Sequence, residues 1–315
     1  MSRCVLGTDE AGYGPNLGPL VISATRWELP SGVDCQHLWQ ALQTAISQTA
    51  PQDGRLHVAD SKTVFQPARG LATLERSVLA LLGSLALAPG TDWELRQMLT
   101  HWRRPGEDEF SAAWYAEVEL RLPVAADPGE IDRGRDLLCT AFAQSGCRLS
   151  AVRSDIITES RFNRLTDAAG SKGAVLTEAT LTLAHSLQDA ACEVQVYCDK
   201  HGGRNSYSGP LSAACNGAFV ATRRESREQS VYAVGAAEYR FETQAERHLP
   251  VAAASMISKY LRELSMLAFN TWWRRHCPDV RPTQGYPQDA VRFRREVAAV
   301  RRTLPVLEDQ FWRRR

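Results

Sequence analysis

The 315-residue chain has no uninterrupted apolar run of about 18 residues, which excludes a transmembrane helix of ordinary length. Its eight cysteines, at 4, 35, 139, 147, 192, 198, 215 and 277, include no CxxC pair and no Cys–His set with zinc spacing. A chain this long needs no disulfide framework, so they read as small buried apolar residues. Neither sign of charge is in surplus: 37 Lys and Arg against 36 Asp and Glu leave +1, so net charge names no partner. No internal repeat is visible. The opening MSRCVLGTDEAG turns acidic and glycine-rich before a signal-like apolar stretch forms. We expect a soluble, cytoplasmic, membrane-independent monomer. With 44% apolar and 23% charged residues, its composition is that of an ordinary globular protein.

Charge is unevenly distributed. From Trp272 to Arg315 there are eleven Arg and no Lys against five acids, which is +6 and leaves −5 for the remainder. A basic segment beside an acidic body suits a polyanion approaching one side, although a solvated helix face produces the same pattern. Trp272, Trp273, Tyr286, Phe293 and Trp312 interleave with the arginines. That mixture suits phosphate neutralisation with stacking, although aromatics at such spacing are more often core.

Strand patterns cover 19–27, 148–158 and 193–198, with further candidates at 219–222 and 230–240. Helical patterns cover 72–88, 130–144 and 175–188, and another runs from Pro250 to about Trp273 with Ala254, Ile257, Leu261, Leu264 and Ala268 as its apolar stripe. Residues 89–128 hold Pro, Gly, charges and three Trp without a clean period and read as an insertion. This irregular alternation implies an α/β fold with a mixed sheet.

Four segments carry candidate chemistry. In Gly7-Thr-Asp-Glu-Ala-Gly-Tyr-Gly-Pro-Asn-Leu-Gly-Pro-Leu20, a strand delivers adjacent carboxylates, Asp9 and Glu10, into a glycine-rich turn. Neighbouring strand residues point to opposite faces, so the two acids can share a site only if the chain leaves strand geometry, which Gly12 and Gly14 allow. Crowded carboxylates repel unless a cation or proton compensates, and a hard divalent cation is the natural compensator. A nucleotide-binding turn is the rival reading. Pro15, Pro19 and the strand-like residues after Gly18 oppose the helix N-terminus it requires, and the acids would repel its phosphate. In Ala59-Asp-Ser-Lys-Thr63, Asp60 or Ser61 is a candidate helix cap and Lys62 a compact cation for a phosphate. Asp199 ends a strand before a polar, glycine-rich loop. Glu242 and Glu246 precede the helix at Pro250. His201 and His248 flank these acids as candidate proton shuttles.

Together the segments resemble the type 2 ribonuclease H family, ribonucleases HII and HIII. GTDEAGYGPNLGPLV resembles the family's DEAG-x-G-x-x-x-GP signature, VADSK its DSK motif, and VQVYCDK the strand bearing its third acid. FETQAERHLPVAAASMISKY is similar to the HIII form, whose fourth acid is Glu, and PTQGYP resembles a late GY motif. The resemblance implies a ribonuclease H-like mixed sheet flanked by helices, with a helical C-terminal extension. It places a catalytic domain at 1–270, with an insertion near 89–128, and a basic helical extension at 271–315 packed on it. It also implies a metal-binding catalytic quartet of Asp9, Glu10, Asp199 and Glu246, with Glu242 in reserve. Substrate contacts would come from Gly12, Tyr13, Gly14, Lys62 and Tyr286.

The implied reaction is cleavage of the RNA strand of RNA–DNA hybrids with two Mg²⁺ or Mn²⁺ ions, leaving 5′-phosphate and 3′-hydroxyl ends. Arginines of 274–315 would bind the duplex backbone without reading bases. Two departures are visible. Tyr13 stands where HII has the Arg of its GRG turn, and with only eight residues before Asp9 we expect no HIII-type N-terminal domain. Two other readings remain open: a non-catalytic hybrid-binding module of the same fold, and a related nuclease acting on structured DNA.

Overall fold

The computed structural model describes residues 3–85, 93–101, 110–189, 192–202 and 204–314. Its centre is a seven-stranded mixed sheet. In chain order the strands are β1 (Arg3–Ala11), β2 (Leu20–Leu29), β3 (Arg148–Ile157), β4 (Glu193–Asp199), β5 (Ala221–Glu225), β6 (Gln229–Val234) and β7 (Ala237–Glu242). Their order across the sheet is β3-β2-β1-β4-β7-β6-β5. β4 runs parallel to both β1 and β7, and the other pairs are antiparallel. The mixed α/β architecture expected from the sequence is present.

The middle of the sheet is covered on both faces, which is why β1 and β2 read as near-continuous apolar runs. On one face lies the helix α6 (Leu249–His276); on the other lie α3 (Glu159–Ala169), α4 (Lys172–Ser186) and the short α5 (Ser208–Ala214). Alternation along β1 sends Val5 into the core with α6, and Cys4 and Leu6 into the core with α4. Contact with α6 is closest at Gly7, where an added Cβ would lie 2.2 Å from the Pro250 carbonyl carbon. Thr25 Oγ1 donates to the Pro250 carbonyl at 2.8 Å beside it.

α6 has 28 residues and spans about 42 Å. The apolar stripe expected along it is buried, but so is most of its circumference. It is a central rod, and the domain boundary expected at residue 270 falls inside it. The described part of residues 89–128 packs against this rod: Trp93–Glu94 pairs with Arg121–Leu122, and Trp114 packs edge-on against Phe269 and Trp272 with centroids 5.0 and 6.0 Å apart. Beyond it α1 (Ala72–Gly83) and α2 (Pro128–Ser145) pack on each other. The helix expected to reach residue 88 ends at Gly83; residues 86–88 lie outside the described ones.

Two further expectations are corrected. The single strand expected over 230–240 is a hairpin of β6 and β7, because Gly235 supplies the positive φ of a two-residue turn. The strand candidate at 219–222 begins at Ala221, leaving Phe219 85% exposed before it.

The C-terminal segment forms α7 (Pro287–Glu296) and short turns up to Phe311. Stacking by its aromatics is largely overturned. Trp272, Trp273, Phe293 and Phe311 form a buried cluster with Phe269, because each ring buries more apolar surface inside such a cluster than on one face against a base. Its charge is also partly neutralised internally. Arg292 pairs with Asp289 and Glu296, Arg294 and Arg301 with Glu308, and Arg314 with Asp167. Arg313 is 2% exposed.

Candidate active site

Asp9 and Glu10 close β1. The strand stays in register with β2 through Ala11–Val21, whereas its pairing with β4 ends at Thr8–Cys198. The expected departure from strand geometry at these acids therefore does not occur. Both side chains sit at the open end of the sheet, where β4 has stopped, and they approach it from opposite faces. Asp9 lies on the α6 side, hydrogen-bonded by Ser255. Glu10 lines a hollow on the α4 side.

Asp199, the last residue of β4, is half-buried. Its Oδ1 accepts the backbone N–H of Ala245 at 3.2 Å, the first residue of a single helical turn, Ala245–Arg247, that carries Glu246. The third acid thus anchors the turn bearing the fourth. The four carboxyls reach one another electrostatically. Burial, then Glu10 and Glu246, hold Asp9 well above the ordinary carboxyl range. Burial, then Asp199 and Glu246, push Glu10 to about 7 against the pull of Lys62. Burial raises Asp199 and Glu246 as well. Among the described residues no three His, Cys, Asp or Glu side chains stand close enough to form a ready-made metal cage. The donors are all carboxylate oxygens, the set a hard divalent cation prefers, and their mutual repulsion leaves charge for such an ion to neutralise.

Glu242 stands apart from this group. It is 3% exposed, accepts from Gln229 Nε2 at 2.5 Å and Arg247, and lies 2.8 Å from His248 Nε2. Burial would raise it, but the hydrogen bonds from His248 and Gln229 and the charges of His248 and Arg247 bring it down to about 2. It is a structural ion-pair centre, whereas Glu246 faces the other acids.

Asp60 caps the turn Ser61–Val64 through the Lys62 N–H at 3.0 Å. Lys62 is exposed, and its ammonium is stabilised by Asp60 and then by Glu246, Asp9 and Asp199. The turn is tied to α6, where Ser255 Oγ accepts from the Ser61 N–H at 3.4 Å and lies 3.1 Å from Ser61 Oγ. Ser255 thus links the Ser61 turn to Asp9. Sequence reasoning missed it; the signal was the lone hydroxyl in the small-residue run Ala252–Ser255.

The 12–18 turn is built from far-apart pieces of the chain. Gly12 has φ +89°, and a Cβ there would lie 2.5 Å from Arg262 Nε. Gly14 is exposed and faces open space. The N–H of Asn16 donates to the Gly285 carbonyl at 2.8 Å, which docks the PTQGYP loop on the turn. Buried Arg313 donates to the carbonyls of Tyr13, Pro15 and Gly18, and its backbone N–H donates to Asn16 O at 2.8 Å. Burial, together with repulsion from Arg262, lowers Arg313 to about 9 against the attraction of buried Glu159. The Glu159 carboxylate in turn accepts the Gly18 N–H at 2.9 Å. Tyr286 is 53% exposed, and its ring lies 5.9 Å from the guanidinium of Arg262, beside the Gly12 turn. Tyr13 is half-buried, with the Lys172 ammonium 4.7 Å from its ring centre.

Neither candidate histidine is placed as a shuttle. The ring of His201 lies 2.9 Å from Thr177 Oγ1, and burial and Arg204 lower it to about 4, so it is neutral at physiological pH. His248 is held between Glu242 and Cys35. None of the eight cysteines forms a disulfide among the described residues, and six of them are buried.

No protein-family model and no curated protein matches the sequence. Solved structures do match. Ribonuclease H2 from Pyrococcus horikoshii OT3 superimposes with a TM-score of 0.52 at 15% identity, covering 98% of this chain and 92% of that one. RNase HII from Archaeoglobus fulgidus, solved in a PCNA:RNase HII complex, gives 0.47 at 17% identity, with 99% and 94% covered. Bst-RNase HIII in complex with Mn²⁺ gives 0.42 at 15% identity, with 99% and 66% covered. Among the described residues no helix is long and apolar enough to cross a membrane. Sheet order, flanking helices and the match to ribonuclease H2 together give this chain the fold of the type 2 ribonucleases H.

Proposed function

We propose that the protein is a divalent-metal-dependent endonuclease that cleaves the RNA strand of RNA–DNA hybrids, leaving 5′-phosphate and 3′-hydroxyl ends. The observation that carries this reading is the grouping of Asp9, Glu10, Asp199 and Glu246. They are contributed by three separate segments, and their ionised forms are destabilised by burial and by one another. Nothing in the packing of the fold requires four carboxyls at one sheet end, and hydrophobic replacements there would cost less.

Asp9, Glu10, Asp199 and Glu246 would hold two Mg²⁺ or Mn²⁺ ions. When bound, such ions supply charge neutralisation at the scissile phosphate and a more acidic water for in-line attack. The chain's own residues supply position. Lys62, exposed beside the acids, holds a phosphate of the substrate as a compact cation. The turn Gly12–Gly14 presents bare backbone at Gly14, close enough for a sugar edge, and the 2′-hydroxyl there separates RNA from DNA. Tyr286 offers an exposed ring beside that turn for stacking. Water adds to phosphorus, the P–O3′ bond breaks, and O3′ leaves with the upstream strand.

A labelled RNA–DNA hybrid incubated with and without Mn²⁺ or Mg²⁺ tests the reading. Loss of a residue that merely supports a metal ligand costs 10- to 100-fold, so Asp9→Asn should lower cleavage by more than about 100-fold while hybrid binding persists. Unimpaired turnover by that variant, or cleavage in excess chelator, refutes the metal assignment.

A further inference from the structure

The internally paired arginines of the C-terminal segment leave open where a nucleic acid backbone would be gripped. On the α4 side of the acids lies a hollow of about 480 Å³. Glu10 and Asp199 form one part of its wall, Tyr13 and Ser171 another, and Arg204 and Asn205 a third. This volume is many times the roughly 30 Å³ share of one water, enough for a phosphodiester with its hydration. Lys172 stands at the rim with its ammonium over the ring of Tyr13, 4.7 Å from the centroid. The guanidinium of Arg204 lies 5.9 Å from the ring centre of Tyr207. Lys200 also lines the hollow, but its ammonium is committed to the carbonyls of Ser226 and Arg227 in the β5–β6 turn.

Lys172 and Arg204 differ from the ion-paired arginines of the C-terminal segment, Arg281, Arg292, Arg294, Arg301 and Arg314. Among the described residues each makes a contact with an aromatic ring and neither stands in an ion pair, although the carboxylates of Glu10 and Asp199 line the same hollow. Their cationic groups rest on aromatic faces, which position a charge without neutralising it. Unneutralised cations at the wall and rim of a concave, polar hollow make an anion site, and the adjoining acids forbid a free carboxylate ligand from lying deeper. The anion that fits is a backbone phosphate whose chain continues onto the acids.

We propose that Lys172 and Arg204 form a phosphate subsite for the nucleotide flanking the cut. Lys62 reaches the acids from the α6 side, through the Ser61–Ser255 contact, whereas Lys172 and Arg204 stand on the α4 side. The strand therefore crosses the open end of the sheet from one cationic pole to the other, with the acids between them. The inference rests on the nuclease reading and adds the path of the strand to it.

The test uses the full chain in chelator, where binding is read without cleavage. Hybrid affinity is measured by fluorescence anisotropy from low to physiological salt. The double variant Lys172→Ala, Arg204→Ala should bind about tenfold more weakly. Its plot of log affinity against log salt should flatten by about 1, for the one phosphate no longer neutralised. Lys172→Arg with Arg204→Lys should restore most of the affinity, and Arg133→Ala, outside the hollow on α2, should change nothing. With Mn²⁺ restored, a hybrid carrying one neutral methylphosphonate at the flanking position should slow the wild type and leave the double variant unaffected. A double variant with unchanged affinity and salt slope overturns the subsite and leaves the nuclease reading standing. A wild type that neither binds nor cuts the hybrid overturns both.

Discussion

Glu10→Gln removes one charge from the acidic group and nearly preserves its shape. In the folded chain Glu10 is raised from 4.5 to about 7, first by burial and then by Asp199 and Glu246. That rise corresponds to about 3 kcal/mol by which the ionised form is disfavoured on folding. For a group raised in the folded state, the favourable contribution is complete below 4.5 and is lost as pH climbs through about 7. Metal-free wild type should therefore lose about 3 kcal/mol relative to Glu10→Gln between pH 4.5 and pH 8. The gain at pH 8 has a second source, since Glu10 also raises Asp9. Urea unfolding of both proteins in chelator, at pH 4.5 and pH 8, reads this directly. Millimolar Mg²⁺ at pH 8 should narrow the gap by stabilising the wild type more than the variant. Equal stabilities at pH 8, or a variant that is less stable there, would refute the claim that these carboxyls are crowded and uncompensated.

Two other substitutions probe the scaffold. Glu242→Gln should destabilise the protein by about 3 kcal/mol at pH 7, because the folded carboxyl is held at about 2 by its partners. A depressed carboxyl stabilises above 4.5, so this cost should shrink as pH falls toward 2, and a pH-independent difference would exclude the ion-pair account. Gly285→Ala places a Cβ 2.3 Å from the Leu17 carbonyl oxygen at a φ of +80°, with an expected cost of about 2–4 kcal/mol. Hybrid cleavage should fall with it, because the 12–18 turn is displaced; wild-type stability by urea unfolding would show that the PTQGYP loop is not docked there.

Much of the sheet was legible because central strands must be apolar on both faces, and β1 announces its end by turning acidic at Asp9. The hairpin at 229–242 was hidden because its alternation continues through Gly235, and only the backbone reveals the turn. Motif order in the sequence picks out the four acids as candidates, yet order gives no distance. What distinguishes Glu246 from Glu242 is that Glu242 pairs with β6 and His248. The expected bend at Asp9–Glu10 is unnecessary because β4 ends beside them, a fact of registry between strands about 190 residues apart. Arg313 reads in the sequence as a solvated cation, since arginine is almost never fully buried. Its burial depends on carbonyls of the 13–18 turn that no local pattern reports.

That strap has a consequence for biosynthesis. Asn16 and Arg313, which exchange two hydrogen bonds, are 297 residues apart. At roughly 5–20 residues per second, the ribosome needs on the order of 15–60 s to span that interval. Throughout it the acidic motif is already outside or nearing the exit without the partner that shapes its turn. A half-made chain therefore cannot yet hold the 13–18 turn in its finished geometry, which is completed only once residue 313 has left the ribosome.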